Sequence, residues 1–386
     1  MRWEKGKIGE HCEITSSKRI FYSEYVDTGV PFYRSKEIIE SSQGQPISEP
    51  LFIRLEKYNE IKEKFGVPEF GDMLLTSVGT IGIPYIVKQD DYFYFKDGNL
   101  TWFRNFDEAL SSEYLYYWVR SAEGHGVLYN TTIGSSQKAL TISALKKIEI
   151  PLPPRQIQEV IVQNLSTYDN LIKNNRKQIK LLEEAAQRLY KEWFVDLRFP
   201  GYEDVAVVDG VPEGWKKGML SDVAVFKRGS TITKSQVNEG NVPVVAGGLE
   251  PAYYHNQANT VSPVVTVSGS GANAGFIRLY TVDVFASDCS FTDAKDSPYV
   301  YFVYCFLKAN KAELDVLQKG AAQPHVYAKD INAMELNVPT EQCIKEYCER
   351  ISPFFDKIKT LDKQIKYSIE ARDRLLPKLM SGELEV

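Results

Sequence analysis

The fold is decided by residues 155–193, which read RQIQEVIVQNLSTYDNLIKNNRKQIKLLEEAAQRLYKEW. Apolar or small side chains recur every three or four residues, and Asn175 is the one polar interruption of this series. The spacing predicts a helix with a single apolar seam, as in a coiled coil. At 1.5 Å per residue the helix would be about 58 Å long. The seam positions are Ile161, Leu165, Tyr168, Ile172, Asn175, Ile179, Leu182, Ala186, Leu189 and Trp193.

A copy of this stretch lies 186 residues further on, because residues 134–189 align with residues 320–375 without a gap. The four letters KQIK occupy both 177–180 and 363–366. Upstream the offset is 212, so the second copy has lost 26 residues. The chain is therefore a tandem duplication of a variable block followed by a long helix. The upstream matches are Trp3 with Trp215, Gly6 with Gly218, and Pro31 with Pro243.

The second helix has its own seam, but two prolines interrupt it. Proline removes a backbone donor and clashes with the preceding turn, so we expect a break at Pro353, with Ser352 as a cap. Pro377 should likewise distort or end the helix. Two seams of matching length most simply pack on each other. Periodicity does not separate parallel from antiparallel pairing, but a duplication favours pseudo-two-fold symmetry and hence an antiparallel coiled coil.

The blocks before each helix mix short β-like runs, glycine turns and short helices, which predicts an α+β protein with two mixed α/β domains. We expect helices at 108–121 and 298–310 and strands at 92–95 and 261–267. The predicted boundaries are 1–153 for the first domain, 154–198 for the first long helix, 199–214 for a linker, 215–339 for the second domain, and 340–386 for the second long helix and tail.

Composition limits the function. The net charge of −5 and the pI near 5.7 argue against a nucleic-acid binder, which is usually basic. Five cysteines without a CxxC pair, and an N-terminus without an apolar stretch, predict reduced thiols in a cytoplasm. The sequence holds no phosphate-binding loop, HExxH or zinc spacing, so we assign no catalytic or metal-binding residue. Residues 268–271, SGSG, are interpreted as a tight turn.

Polar and basic loops follow several β-like runs of the blocks. Their side chains are of the types that read base edges or hold phosphates, and Gln137 and Gln323 lie at the same point of the repeat. A structural hydrogen bond is the alternative role of these two glutamines. The candidate DNA-binding residues are Arg34, Lys36, Ser136, Gln137 and Lys138 in the first block, and Lys227, Arg228, Lys234, Gln323 and His325 in the second.

Both long helices carry an excess of positive charge, +4 over residues 173–191 and +4 over 357–378. Solvated helix faces explain this pattern, and so does a surface that docks partner proteins or lies near phosphates. The candidate partner-binding residues are Lys173, Lys177, Lys180, Arg188, Lys359, Lys363, Lys366 and Arg374.

Short motifs give the chain a family resemblance. Residues 211–215 (VPEGW), 150–154 (IPLPP), 192–196 (EWFVD) and the C-terminal run 374–384 (RLLPKLMSGEL) are similar to those of the specificity (S) subunits of type I restriction-modification systems. The likeness, together with the duplicated layout, covers the whole chain. Residues 1–3 depart from it, because the proline-glutamate-glycine lead before the tryptophan is missing.

The resemblance implies a non-catalytic subunit whose two blocks are target recognition domains, each reading one half of a bipartite asymmetric DNA site. It also implies that the helices fix the spacing and dock two methyltransferase (M) subunits. S-adenosylmethionine, ATP and Mg would then be bound only by those partners and by restriction (R) subunits. If partners neutralise phosphates, the acidic pI is a weaker objection.

Three alternatives stay open from the sequence. The same fold could serve as the separate specificity chain of a type IIB or IIG restriction enzyme, which the genomic neighbourhood would reveal. The chain could itself be a nuclease, which would cut DNA alone. It could also be a coiled-coil scaffold without DNA affinity, as its negative charge suggests.

The helix pair generates a prediction about spacing. Four residues inserted into both long helices should lengthen them by about 6 Å and alter the unread spacer of the DNA site. Genome-wide mapping of methylated adenines measures the spacer. An unchanged spacer would contradict the prediction.

Overall fold

A computed structural model describes residues 3–134, 138–319 and 324–384. Within them the chain divides into two compact units. The first unit comprises Met1–Asn174 together with Gln364–Val386, and the second comprises Asn175–Lys363. Each long helix therefore contributes one part to each unit.

The first unit contains a two-stranded sheet, β1-β10, and two four-stranded sheets, ordered β2-β9-β6-β7 and β3-β5-β4-β8. Its strands are β1 Lys5–Lys7, β2 Glu13–Thr15, β3 Tyr25–Val26, β4 Val30–Tyr33, β5 Phe52–Ile53, β6 Met73–Thr76, β7 Pro84–Ile86, β8 Tyr94–Phe95, β9 Leu100–Arg104 and β10 Glu149–Pro151. Its helices are α1 Ile8–His11, α2 Ser35–Ser42, α3 Leu55–Phe65, α4 Ser112–Arg120, α5 Ala122–Thr131, α6 Ile142–Leu145 and the start of α7 Arg155–Tyr190.

The second unit contains two two-stranded sheets, β11-β12 and β13-β21, a four-stranded sheet ordered β14-β20-β17-β18, and a three-stranded sheet ordered β16-β15-β19. Its strands are β11 Val207–Val208, β12 Val211–Pro212, β13 Lys216–Met219, β14 Lys227–Arg228, β15 Val242–Val245, β16 Tyr253–His255, β17 Val264–Ser268, β18 Ile277–Tyr280, β19 Phe285–Ala286, β20 Cys289–Asp293 and β21 Glu335–Val338. Its helices are α8 Val300–Ala309, α9 Lys311–Val316, α10 Ala328–Asn332 and most of α11 Glu341–Ser381.

The strand orders confirm the internal repeat. The sheet β2-β9-β6-β7 of the first unit has the same order and antiparallel pairing as β14-β20-β17-β18 of the second. The parallel pair β4 and β8 recurs as β15 and β19. The pair β1 and β10, which leads into α7, recurs as β13 and β21, which leads into α11.

Most of the length difference between the copies falls at one place. Thirty-nine residues separate Tyr33 from Met73, and they include α2, β5 and α3. Only eighteen residues separate Val245 from Val264, and they include the single strand β16. The second copy has therefore lost two helices beside the parallel strand pair.

The predicted apolar seam is confirmed in the first unit, where α7 and α11 run in opposite directions. Leu165 of α7 shares a buried core with Leu376 of α11. Asp169, one turn further along α7, contacts Arg372, one turn further back along α11. The predicted antiparallel pairing follows from this order.

The second unit shows the same antiparallel pairing with different side chains. The Tyr347 hydroxyl donates a hydrogen bond to the Ala186 carbonyl at 3.1 Å. Further back along α7, Glu183 accepts a hydrogen bond from the Tyr304 hydroxyl, and the Tyr304 ring packs edge-on against Phe355, which lies further along α11. Tyr347 and Phe355 are both fully buried here.

Aromatic residues of the two motifs 192–196 and 211–215 form the end of this core. A single π-turn, Lys191–Val195, follows α7 and places Phe194 between Trp215 and Tyr347, with ring centroids 5.9 and 4.9 Å away. Phe199, from the predicted linker, lies 5.0 Å from Trp215. These motif residues therefore hold the chain that enters the second block against both helices.

The predicted break at Pro353 is wrong, and so is the predicted end at Pro377, because α11 continues through both prolines. Pro353 is exposed, and the Ser352 hydroxyl, expected to cap a new helix, instead donates to the Glu349 carbonyl within the helix. This bond supplies a donor to the carbonyl whose usual backbone partner proline lacks. Burial of the flanking seam outweighs the proline cost of about 3 kcal/mol.

The first unit contains a polar network at the seam. Asp169 accepts hydrogen bonds from Arg372 at 2.6 Å, Arg120 at 3.0 Å and Tyr117 at 2.8 Å. Burial opposes ionisation of Asp169, yet the charge of Arg120 and the bond from Arg372 hold its pKa below the ordinary value. The network ties α4 to both long helices.

All five cysteines are free thiols, and burial raises the pKa of each to about 12. Cys343 is buried in the core of the second unit, and the partly buried Cys348 packs against it. Within the described ranges, no helix combines the length and the apolar character that a membrane crossing requires.

The Asp169 network makes a prediction about stability. Asp169→Asn should lower the free energy of unfolding at pH 7 by about 2 kcal/mol, because two arginines lose a partly buried charged acceptor. Chemical denaturation measures the change. A carboxylate with a lowered folded pKa stabilises above its unfolded pKa of about 3.9, and this stabilisation is lost as the pH falls through the folded pKa. The difference from the wild type should therefore shrink below about pH 4.

Asp373→Asn is the matched control, since Asp373 also pairs with Arg372 but is 56% exposed. Its effect should stay within about 0.5 kcal/mol. Equal effects of the two variants would show that the network does not stabilise the helix pair.

Candidate nucleic-acid interface

A tethered turn follows the central strand β17 of the second unit. The Gly269 carbonyl accepts a hydrogen bond from the Val326 amide at 3.1 Å, and the Gly269 amide donates to the Asp288 carbonyl at 3.3 Å. His325 exchanges two backbone hydrogen bonds with Lys319, at 2.8 and 2.9 Å. We call this set of backbone bonds the turn frame. It brings three separate segments of the second block to one place.

The first unit has the same turn frame after β6. The Ser77 carbonyl accepts from the Leu140 amide at 2.9 Å, and the Ser77 amide donates to the Asn99 carbonyl at 2.8 Å. Ile133 and Ala139 exchange two backbone bonds of 2.9 Å. Each of these bonds has its counterpart in the second unit, so the duplication has kept the backbone of the frame.

A glycine in the left-handed region belongs to each frame. Gly271 has φ +78° and Gly79 has φ +79°, at corresponding points of the two turns. Only glycine adopts this conformation without a steric cost. Residues 268–271 are therefore only partly the turn that the sequence predicted, because Ser268 ends β17, Ser270 forms a β-bridge with His325, and the 3₁₀ turn begins at Gly271, beside the cleft described next.

Side chains around the frame of the second unit line a cleft of about 240 Å³. The Ser270 hydroxyl donates to the Asp288 carboxylate, and the His325 ring is stacked parallel to the exposed Tyr327 ring. A guanidinium, a carboxylate and an imidazole thus share one open depression. The side chains that carry this chemistry are Arg228, Ser270, Asp288, His325 and Tyr327.

The corresponding positions of the first unit hold small or neutral side chains. In the ladder of β2 with β9, Thr15 pairs with Trp102, so the next residue, Ser16, continues the register to the counterpart of Arg228. The Ser16 hydroxyl is buried and has no hydrogen-bond partner among the described residues. The frame is thus repeated while its side chains are not. The counterparts are Ser16, Val78, Asn99, Ala139 and Thr141.

Arg228 is fixed at the cleft by its strand. It lies opposite Ser290 in the pairing of β14 with β20. The amide of the next residue, Gly229, donates a hydrogen bond to the Cys289 carbonyl at 2.8 Å. A Cβ added at Gly229 would lie 2.2 Å from the Ser287 carbonyl oxygen. The absence of a side chain at residue 229 therefore allows β14 to lie against the sheet.

Three of the predicted DNA-binding cations are engaged with carboxylates. Arg34 donates to the fully buried Glu37, a hydrogen bond that raises the pKa of the arginine, and Lys36 pairs with Glu49 at 2.9 Å. Lys227 forms an ion pair with Asp296. Their charges are balanced within the units, so these three are weaker candidates than the sequence suggested.

The remaining candidates have different surroundings. Lys138 lies 3.5 Å from the centre of the Tyr129 ring, next to the first turn frame. Lys234 lies in an exposed 3₁₀ turn, Lys234–Gln236, away from the residues that line the cleft. Arg228 and His325 are the two candidates that the structure brings together. Ser136, Gln137 and Gln323 lie outside the described residues.

The predicted partner-binding cations lie on the long helices and point away from the seam. Seven are exposed, and Lys359 is half-buried. Lys180 makes a loose ion pair with Glu184 at 3.9 Å. The exposed residues are Lys173, Lys177, Lys180, Arg188, Lys363, Lys366 and Arg374.

A second cleft, in the first unit, has its main cation already engaged. Arg104 binds Glu13 through two hydrogen bonds of 2.9 and 3.1 Å, and its guanidinium lies 4.5 Å from the Trp102 ring centre. These bonds lower the pKa of Glu13. Lys18 covers the Phe65 ring at 4.4 Å. This cleft therefore offers less free hydrogen-bonding capacity than the cleft of the second unit.

Sequence reasoning missed Ser270, Asp288 and Tyr327. Comparison of the two copies gives one sequence signal for this place. The turn after the apolar run 261–267 contains Gly271, and the corresponding turn after β6 contains Gly79. Asp288 could be found only from the strand pairing that sets it beside the turn.

Comparisons with known proteins agree with the duplicated layout. A family model described as "Type I restriction modification DNA specificity domain" matches residues 1–184 and again residues 212–371. The "Type I restriction enzyme MjaIX specificity subunit" of Methanocaldococcus jannaschii is 29% identical over 347 residues, which cover 82% of this chain and 78% of that protein. The "Putative type I restriction enzyme MjaX specificity subunit" of the same organism is 24% identical, with 99% and 96% covered.

A solved structure has the same fold. The crystal structure of a type I restriction-modification system S subunit from M. genitalium matches with a TM-score of 0.63 and 16% identity. The match covers 98% of this chain and 96% of that one.

The turn frame generates a prediction about Gly229. Gly229→Ala should destabilise the second unit by about 1–3 kcal/mol, because the new methyl group overlaps the Ser287 carbonyl and forces β14 from the sheet. Thermal unfolding measures the loss. Gly126→Ala is the control, since nothing lies within 4 Å of its added Cβ and alanine favours the helix. A neutral result at residue 229 would contradict the packing described for β14.

Proposed function

We propose that this chain, which belongs to the type I restriction-modification DNA specificity family, is the subunit that recognises the DNA sequence. Each unit would read one half of a bipartite, asymmetric target. The chain would not itself be catalytic.

One observation carries the proposal. The two units repeat the turn frame bond for bond, but the side chains around it differ at every compared position. Arg228, Asp288 and His325 of the second unit correspond to Ser16, Asn99 and Ala139 of the first. A shared backbone with different polar groups is what two readers of different half-sites require. Identical side chains would instead suit a palindromic site.

Recognition would work through hydrogen bonds to base edges in the major groove. A good bidentate contact discriminates by about 1–3 kcal/mol. Phosphate contacts supply affinity without sequence information, and they can come from any subunit of a complex. The net charge of −5 therefore fits a subunit that supplies the base contacts while its partners supply much of the positive surface.

The long helices would dock the partner proteins. Their exposed cations, among them Lys173, Lys366 and Arg374, form a charged surface outside the seam. We assign two methyltransferase subunits to this surface. S-adenosylmethionine, ATP and Mg would be bound by the methyltransferase and restriction subunits. The whole complex would act in the cytoplasm. Lys359 and Lys363 of the second long helix would contact the same methyltransferase subunits.

Binding and methylation together test the proposal. The chain should bind duplex DNA with its methyltransferase partner, and the affinity should fall steeply with salt. Mapping of methylated adenines in cells carrying the system should give a split asymmetric motif. Loss of the chain should abolish the motif.

Three results would contradict it. DNA affinity that is absent with and without the partner would identify a scaffold. Cutting by the purified chain with Mg would identify a nuclease. Co-purification with a single large restriction enzyme in place of separate methyltransferase subunits would identify the specificity chain of a type IIB or IIG enzyme.

A further inference from the structure

We infer that the cleft at the turn frame of the second unit selects a G·C base pair, with Arg228 and Asp288 as its specificity-determining residues. The inference rests on the proposed function and names the base pair that this unit reads there.

Arg228 presents an uncommitted guanidinium at the cleft. It is exposed, and it makes no ion pair or side-chain hydrogen bond with another of the described residues. Its neighbour Lys227 is the opposite case, because adjacent strand residues point to opposite faces and Lys227 pairs with Asp296. A free guanidinium matches the O6 and N7 acceptors of guanine, the commonest specific contact of arginine with DNA.

Asp288 distinguishes base reading from phosphate binding. Its carboxylate lines the same cleft and is oriented by the hydrogen bond from the Ser270 hydroxyl. A carboxylate repels phosphate, so a site that only gripped the DNA backbone would not contain one. It accepts instead from the N4 amino group of cytosine. One G·C pair presents the guanine acceptors and the cytosine donor along the same groove edge, and so satisfies both residues.

The rim of the cleft is held rigid. The His325 backbone is bonded twice to Lys319, and its ring is stacked on Tyr327 with an angle of 13° between the planes. Ring and backbone are thus both restrained before DNA arrives. Preorganised groups lose less conformational entropy on binding, which favours discrimination over loose contact.

The first unit gives the internal contrast. At the counterparts of Arg228 and Asp288 it has Ser16 and Asn99, and an asparagine pairs with adenine more readily than with a G·C pair. Of the two turn frames, only that of the second unit therefore has an arginine and an aspartate at these positions. We expect the two half-sites of the DNA to differ accordingly in the base pair that is read there.

The experiment maps methylated adenines in cells that carry the complete system with Arg228→Ala or Asp288→Asn. Both variants should lose the preference for G·C at the same single position of one half-site, by about 10-fold or more, and keep every other position. Duplex selection from a random library by the purified complex should give the same result in vitro. Lys295→Ala is the control, because it removes an exposed cation of the same unit that does not line the cleft, and it should leave the motif unchanged.

Each other outcome overturns the inference. Uniform weakening on all sequences by Arg228→Ala would make it a phosphate contact. An unchanged motif would show that the cleft does not read bases, and relaxation at two different positions would show that the two residues do not share a pair. A wild-type system without any bipartite motif would overturn the proposed function itself, which separates that failure from a failure of the cleft assignment.

Discussion

Burial of the apolar seam along α7 and α11 is the constraint on which each unit depends. In the first unit Leu165 and Leu376 join the core of the sheets, and in the second Tyr347 and Phe355 do so. Fully burying one such side chain contributes about 1.5–3 kcal/mol, and the seam contains many of them. The helices are therefore part of the core of each block, and a mixed α/β block of this size gains the buried surface that its short strands alone do not provide.

The structure separates what is shared from what varies. Backbone hydrogen bonds define the turn frame, and glycines at Gly79 and Gly271 allow its conformation in both units. Side chains around the frame do not take part in these bonds. They can therefore change without altering the fold, which is the property that a sequence-reading surface needs.

The sequence predicted the elements that depend on local patterns. The seam, the duplication and the helices α4 and α8 follow from periodicity, which is read along the chain. The sequence-based prediction of a helix break at Pro353 failed, because the Ser352 hydroxyl and the buried seam compensate for the proline. The sequence also nominated Arg34 and Lys227, whose charges are balanced by Glu37 and Asp296, and it missed Asp288. Asp296 lies 69 residues from Lys227, so only the folded chain reveals that this cation is engaged, whereas Glu37 lies three residues from Arg34 and its pairing is a local contact.

The Asp169 network has a consequence for the order of the two halves. Under the 186-residue offset, Asp169 has Phe355 as its counterpart and Arg372 has Ala186. A chain built from two first halves would set each Asp169 opposite an alanine, and one built from two second halves would set each Arg372 opposite an aromatic ring. Unlike halves are thus complementary in a way that like halves are not. Recombination that exchanges a whole half for another must therefore preserve this opposition of acid and base, and exchange of the first block alone must preserve Tyr117 and Arg120, which bind the same carboxylate.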